Sequence, residues 1–199
     1  MKKITFSDKF GLTEAVLSGR KTMTRRIVPQ STIDKYALLE DPTIIDDARY
    51  NVGEVVAIAQ KYSDVAQGGY PVDSRYDAFR TANWGDGKDG VLKSSAGWSN
   101  KLFVKSDLMP HHIRITDVKV ERLQDISDED FFKEGIYPFY YDETRKECGF
   151  APDGFSFDGI DCHYPTSREA FASLIDRVSG KGAWDSNPCV FAYEFELVD

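Results

Sequence analysis

The chain predicts an α+β domain built on a curved sheet or small barrel. Three observations point there: strand-like segments lie far apart in sequence, short capped helices separate them, and no regular βαβ rhythm links them. With 199 residues, 41% of them hydrophobic, the chain has the length of one domain and enough apolar side chains for a genuine core. No internal repeat or low-complexity tract appears.

Ser7 is a good N-cap for a short helix carrying Phe10, Leu12, Ala15, Val16 and Leu17, and Gly19 closes it. Arg20 to Val28 then reads as a turn running into a strand that stops at Pro29. Residues 30–50 read as loop with one helical turn at most. Asn51 to Glu54 is a turn, and Val55 to Ala59 is a nearly continuous apolar run, as expected of a strand buried on both faces. Residues 62–108 alternate glycines with aromatics and read as a first insertion, not a second domain.

From His112 the alternation of Ile113 and Ile115 resumes on the opposite parity at Val118 and Val120, which predicts a β-bulge near Thr116 and Asp117. Ser127 caps a helix of about two turns with an acidic first turn, an Ile126 to Phe131 staple and Gly135 as its stop. Residues 137–165 form a second irregular, aromatic-rich insertion. Thr166 and Glu169 make a capping box for the best helix in the chain, with Phe171, Leu174, Ile175 and Val178 as its apolar stripe. The end alternates Phe191, Tyr193, Phe195 and Leu197, as a strand with one wet side does. The whole chain, 1–199, is therefore one domain with two insertions.

Composition excludes several functions. A net charge of −8, from 25 basic and 33 acidic residues, opposes long nonspecific binding to duplex nucleic acid, so only local basic patches can serve. Cys148, Cys162 and Cys189 are too few for a disulfide framework or zinc ribbon, and His111, His112 and His163 hold no i, i+4 pair, so no metal site is expected. Cys162 beside His163 reads as a loop thiol. No apolar run approaches the ~20 residues of a membrane span, and the start lacks a signal peptide's apolar region. A cytoplasmic protein that does not engage membranes is the expectation.

The main anomaly is basic. Arg20, Lys21, Arg25 and Arg26 crowd four cations into seven residues with no acid among them. An anionic ligand, or pairing of a solvated strand end with some of the 33 acids, must offset that repulsion. Crowding and partial burial would both lower the Lys21 pKa, and lysine can then act as base or nucleophile, unlike arginine. Glu134, at a helix C-terminus before Gly135, opposes the helix dipole and calls for a cation such as Lys21 or Arg26.

The segment Gly19-Arg20-Lys21-Thr22-Met23-Thr24-Arg25-Arg26 resembles the signature of ASCH-domain proteins: a glycine, a lysine two residues on and an arginine five beyond that. Asn51 to Val56, Ile115 to Ser127, Asp128 to Gly135, and Gly182 to Pro188 with the final strand resemble further ASCH segments in the same order, as in the larger phage and bacterial members. The match spans about 90 to 100 residues, the scale of one small domain. The two insertions lie outside it. The resemblance implies a PUA-like small β-barrel flanked by short helices, associated with RNA binding in a cleft.

One bacterial branch of that family removes the acetyl group from N4-acetylcytidine with a lysine, a threonine and a glutamate. Their matches here are Lys21, Thr24 and Glu134. The resemblance thus implies RNA or modified-nucleoside binding by Arg20, Lys21, Arg25 and Arg26 without a cofactor, or alternatively an amidohydrolase using Lys21, Thr24 and Glu134. Ribonuclease action is less favoured, because the matched motif holds no histidine. On an ideal strand Lys21 and Thr24 face opposite ways, so they converge only if Lys21 precedes the regular strand or a bulge intervenes. Tyr62, Tyr70, Tyr76, Trp84 and Trp98 admit two uses, stacking on bases or plugging loops onto the core.

Overall fold

A computed structural model describes residues 1–39, 43–67, 95–141, 143–147, 151–157 and 164–198. Its strands are β1 (Lys3–Ile4), β2 (Met23–Ile27), β3 (Val55–Ile58), β4 (His112–Arg122), β5 (Tyr137–Phe139), β6 (Gly154–Ser156) and β7 (Cys189–Leu197). The helices are α1 (Leu12–Leu17), α2 (Gln30–Leu39), α3 (Tyr62–Gln67), α4 (Asp128–Lys133), α5 (Glu143–Glu147) and α6 (Ser167–Ser179). Five strands hydrogen-bond in the order β1-β3-β4-β7-β2, and β5 and β6 make a separate pair. The expected α+β architecture is present as this five-stranded sheet with short helices, and no closed barrel is seen among the described residues.

The chain divides into two units. One comprises residues 1–6, 55–114 and 197–199. Here β1 runs parallel to β3, with Ile4 beside Ile58, and β3 pairs antiparallel with the start of β4, Val56 opposite Ile113. Lys3 ties down the N-terminal strand by donating from Nζ to the carbonyls of Leu102 (2.8 Å) and Val104 (2.6 Å). Ala57, Ala59, Tyr62, Val65, Val104 and Met109 form a core on which Trp98 and Leu108 pack. Tyr62 and Trp98 therefore plug the core, and the Tyr62 hydroxyl accepts from the Lys105 N–H at 2.8 Å. Tyr70, Tyr76 and Trp84 lie outside the described residues, as do Cys148, Cys162 and His163.

The other unit holds residues 7–54 and 115–196. β2 pairs antiparallel with β7, Met23 opposite Glu194, Thr24 opposite Tyr193 and Arg26 opposite Phe191. β7 departs from the expected strand with one wet side. Val190 to Tyr193 are all buried, so side chains on both faces of β7 are covered over this stretch. Only its end opens, at Glu196 and Leu197. The residues after Pro29, expected as loop, form α2 instead, with the Thr32 and Ile33 N–H groups bonded to the Pro29 carbonyl. The second insertion likewise contains the β5-β6 pair and α5.

Two of the three expected caps are present, at Ser127 and Thr166. Thr166 accepts from the Glu169 N–H at 3.1 Å to start α6, which buries Ala170, Phe171, Leu174 and Ile175 but leaves Val178 exposed. Phe171 packs on Phe131 of α4, ring centroids 5.5 Å apart, and edge-on to Trp184. In β4, Ile115 is buried, Thr116 and Asp117 are both exposed and Val118 is buried again, so the inward parity switches where the sequence indicates. The first helix is split: Gly11, at φ 63°, separates a short 3-10 turn, Asp8–Phe10, from α1, and Ser7 makes no side-chain cap.

Candidate functional site

The site lies wholly in the second unit and begins with a link, not a strand. After α1 the chain turns through Gly19, whose φ of 73° suits glycine. Lys21 donates its N–H to the Ala15 carbonyl at 2.8 Å, and Thr22 donates to Lys133 at the end of α4 at 2.8 Å. β2 starts only at Met23. Lys21 is thus pinned between the ends of two helices before strand alternation sets in.

α4 supplies the acids. Its start is set by Ser127, whose side chain accepts from the Asp130 N–H at 3.2 Å. Asp130 and Glu134 are four residues apart and so share one helix face. Beyond Glu134 the chain reverses at Gly135, φ 95°, where an added Cβ would stand 3.4 Å from Lys21 Cβ. That close approach lets Lys21 Nζ donate to both Glu134 Oε2 (2.6 Å) and the Glu134 carbonyl (2.7 Å). Lys21 and Glu134 are both buried.

Arg25 binds the acids together. Its Nε and Nη2 donate to Glu121 Oε1 at 2.8 and 2.6 Å, Nη2 also to Asp130 Oδ2 at 2.7 Å, and Nη1 to Glu134 Oε1 at 3.1 Å and Met23 Sδ at 3.2 Å. All five of its N–H donors are thereby engaged, and the side chain is fully enclosed. Lys119 reaches Asp130 at 3.1 Å and Glu121 at 3.6 Å from the wetter side. Three cations meet three carboxylates, so internal acids offset much of the basic cluster's repulsion.

These contacts shift the titrating groups. Burial pushes the Lys21 amine below the ordinary lysine range, aided by Arg26 and Arg25 and opposed by Glu134. Burial works to raise the Asp130 carboxyl, but hydrogen bonds from Arg25 and Lys119 prevail and hold it below the usual carboxylate range. Arg25 also feels burial first, yet Glu134, Asp130 and Glu121 hold its pKa above the ordinary one. Burial lowers Arg26, whose charged surroundings include Tyr50, Glu134, Arg49 and Tyr193. Tyr50 and Tyr193 meet edge-on at 5.3 Å, and burial raises both phenols.

Of the residues expected at the site, Lys21 and Glu134 come together directly. Arg25, expected to face a ligand, turns inward and completes the acid cluster. Thr24 does not join them: β2 alternation puts it with Arg26, on the face opposite Met23 and Arg25. Its buried side chain has no hydrogen bond to Lys21 or Glu134 among the described residues. Arg20 is exposed, its guanidinium 4.7 Å from the centroid of the Tyr137 ring and Nη1 donating to the Gly135 carbonyl at 3.3 Å. Asp130, Glu121 and Lys119 went unforeseen. Their one signal is Asp130's i, i+4 spacing from Glu134; nothing local marks Glu121 among the chain's other acids. Among the described residues no group of three His, Cys, Asp or Glu side chains is placed to hold a metal ion.

No protein-family model and no curated protein matches the chain. Among solved structures it is similar to protein EF3133 from Enterococcus faecalis V583, of family model DUF984, at 16% identity and a TM-score of 0.36, covering 94% of this chain and 67% of that one. It is also similar to an ASCH domain from Lactobacillus crispatus JV V101, at 11% identity and a TM-score of 0.35, covering 96% of this chain and 72% of that one.

Proposed function

We propose that the chain is an ASCH-type protein that binds RNA or a modified nucleoside at the start of β2, beside Lys21, Thr24, Arg26 and Glu134. The observation that carries this reading is the convergence of Lys21 and Glu134, 113 residues apart in sequence, in one buried contact at 2.6 Å. Such a pair sets an N–H donor beside a carboxylate acceptor, the two functions that the polar edge of a cytosine-like base calls for. Lys21 commits two N–H groups to Glu134 and keeps a third.

One observation favours a second reading, an amidohydrolase acting on N4-acetylcytidine. Burial brings the Lys21 amine closer to its neutral, proton-accepting form. In that reaction water adds to the acyl carbon, the bond from that carbon to N4 breaks, and acetate and the free amine leave. Lys21 would take a proton from the nucleophile and Glu134 would pass one to the leaving nitrogen. Thr24 fits less well, because it lies on the other face of β2 and makes no hydrogen bond with either group among the described residues.

One experiment separates these readings. The protein is titrated calorimetrically with cytidine, N4-acetylcytidine and a short single-stranded RNA, and acetate release is followed in parallel. Binding without acetate supports the binding domain. Acetate release that Lys21→Met and Glu134→Gln both abolish, in protein that still melts cooperatively, establishes the hydrolase. Neither binding nor release refutes both.

A further inference from the structure

Among the clustered cations, Arg20 is built differently from Lys21 and Arg25. Lys21 and Arg25 spend their charge on Glu134, Asp130 and Glu121 inside the protein. Arg20 instead stands at the surface and, among the described residues, makes a single hydrogen bond, to the Gly135 carbonyl. No carboxylate pairs with it among the described residues. Its position is nevertheless held. The guanidinium lies 4.7 Å from the Tyr137 centroid, and Gly135, its anchor, directly follows Glu134.

We infer that Arg20, held by Tyr137, is a phosphate-binding arm beside the Lys21 and Glu134 pair, so that the ligand is a phosphate-bearing strand or nucleotide rather than a free nucleoside. This rests on the reading above and names its ligand class. A guanidinium offers a planar fork of N–H donors that matches two phosphate oxygens, and four of Arg20's five donors remain for such a partner. Stacking on Tyr137 reduces the rotamer freedom that a long surface side chain would otherwise lose on binding. Arg25 cannot serve, since its donors are engaged. The chain's overall acidity sharpens the point: attraction for phosphate must come from one local group, not from a broad field.

The test measures binding of a fluorescein-labelled oligouridylate by anisotropy over a salt series, alongside calorimetry with cytidine and cytidine monophosphate. The expected results are monophosphate bound more tightly than cytidine, and strand affinity reduced about tenfold or more in Arg20→Ala, with the salt slope shallower by about 0.7. Arg20→Lys keeps the charge but loses the fork and the stack, so it recovers only part of the affinity. Tyr137→Leu, with Arg20 intact, weakens the strand by about two- to fivefold. If the native protein binds cytidine and its monophosphate equally, or if Arg20→Ala leaves strand affinity and salt slope unchanged, the phosphate arm is refuted while nucleoside binding stands. If the native protein binds no strand, nucleotide or nucleoside, the arm and the binding reading both fall; if it binds nucleoside alone, only the arm falls.

Discussion

Arg25→Met should unfold this protein more readily than any other single change in the basic segment, and the site geometry sets the size of the effect. In the native chain Lys21, Arg25 and Lys119 balance Glu121, Asp130 and Glu134. Methionine keeps most of the apolar stem but leaves three carboxylates facing two lysines, and the Lys119 side chain is 42% exposed and well solvated. Removing one partner of a buried ion pair costs about 3–5 kcal/mol, because the remaining charge keeps its desolvation penalty. The three Arg25 contacts do not add, since one charge serves them all. For a cooperatively unfolding chain of this length, that loss lowers the melting temperature by about 6–20 °C.

The assay is urea unfolding of both proteins at neutral pH and again in acid. In the native state Asp130 sits below the ordinary carboxylate value, so its contribution is full above that value and disappears as pH falls through the folded pKa. Without Arg25, the burial that works to raise the Asp130 carboxyl meets less opposition, and that carboxylate stabilises the fold less as it ionises. The gap between variant and native protein must therefore shrink on acidification. A loss below about 1 kcal/mol, the size of an exposed pair, or one of the same size at both pH values, would show that these contacts carry no buried charge.

Lys21 should titrate below the other lysines when its side-chain ε-carbon is followed by NMR, and Lys21→Met should remove that signal. Because its proton leaves sooner from the folded than from the unfolded chain, stability should rise with pH from the folded pKa up to the ordinary lysine value. Gly19→Ala should cost about 1–2 kcal/mol in thermal melts from conformation alone, since nothing lies within 4 Å of an added Cβ. Gly135→Ala should cost more, because its Cβ also meets Lys21 at 3.4 Å and Ala15 at 3.7 Å. Ser127→Ala should lose about 0.5–2 kcal/mol with the α4 cap, read by denaturant midpoint.

Where local chemistry decides structure, the sequence was legible. Ser127 and Thr166 cap helices because a short polar side chain reaches a backbone N–H three residues on, whatever the rest of the fold does. The parity switch in β4 is visible for the same reason: it is a property of neighbouring residues. A local signal also marked α2, where Pro29 provides a preformed first turn, but its weak apolar pattern reads as loop. β7 was misread because alternation within one strand cannot say what packs on its second face, where Val190 and Ala192 are buried.

The sequence by itself determined that four cations near the N-terminus need compensation, and that Lys21 and Glu134 are plausible partners by resemblance and by charge. Only the tertiary structure decided how that need is met. Lys21 escapes the strand's alternation by preceding it, so it meets Glu134 beneath Gly135. Arg25 and Thr24, adjacent in sequence, point to opposite faces of β2, and the arginine is enclosed by acids from two other elements. Charge repulsion is a sum over whatever lies within a few ångströms, and that neighbourhood exists only once distant segments pack.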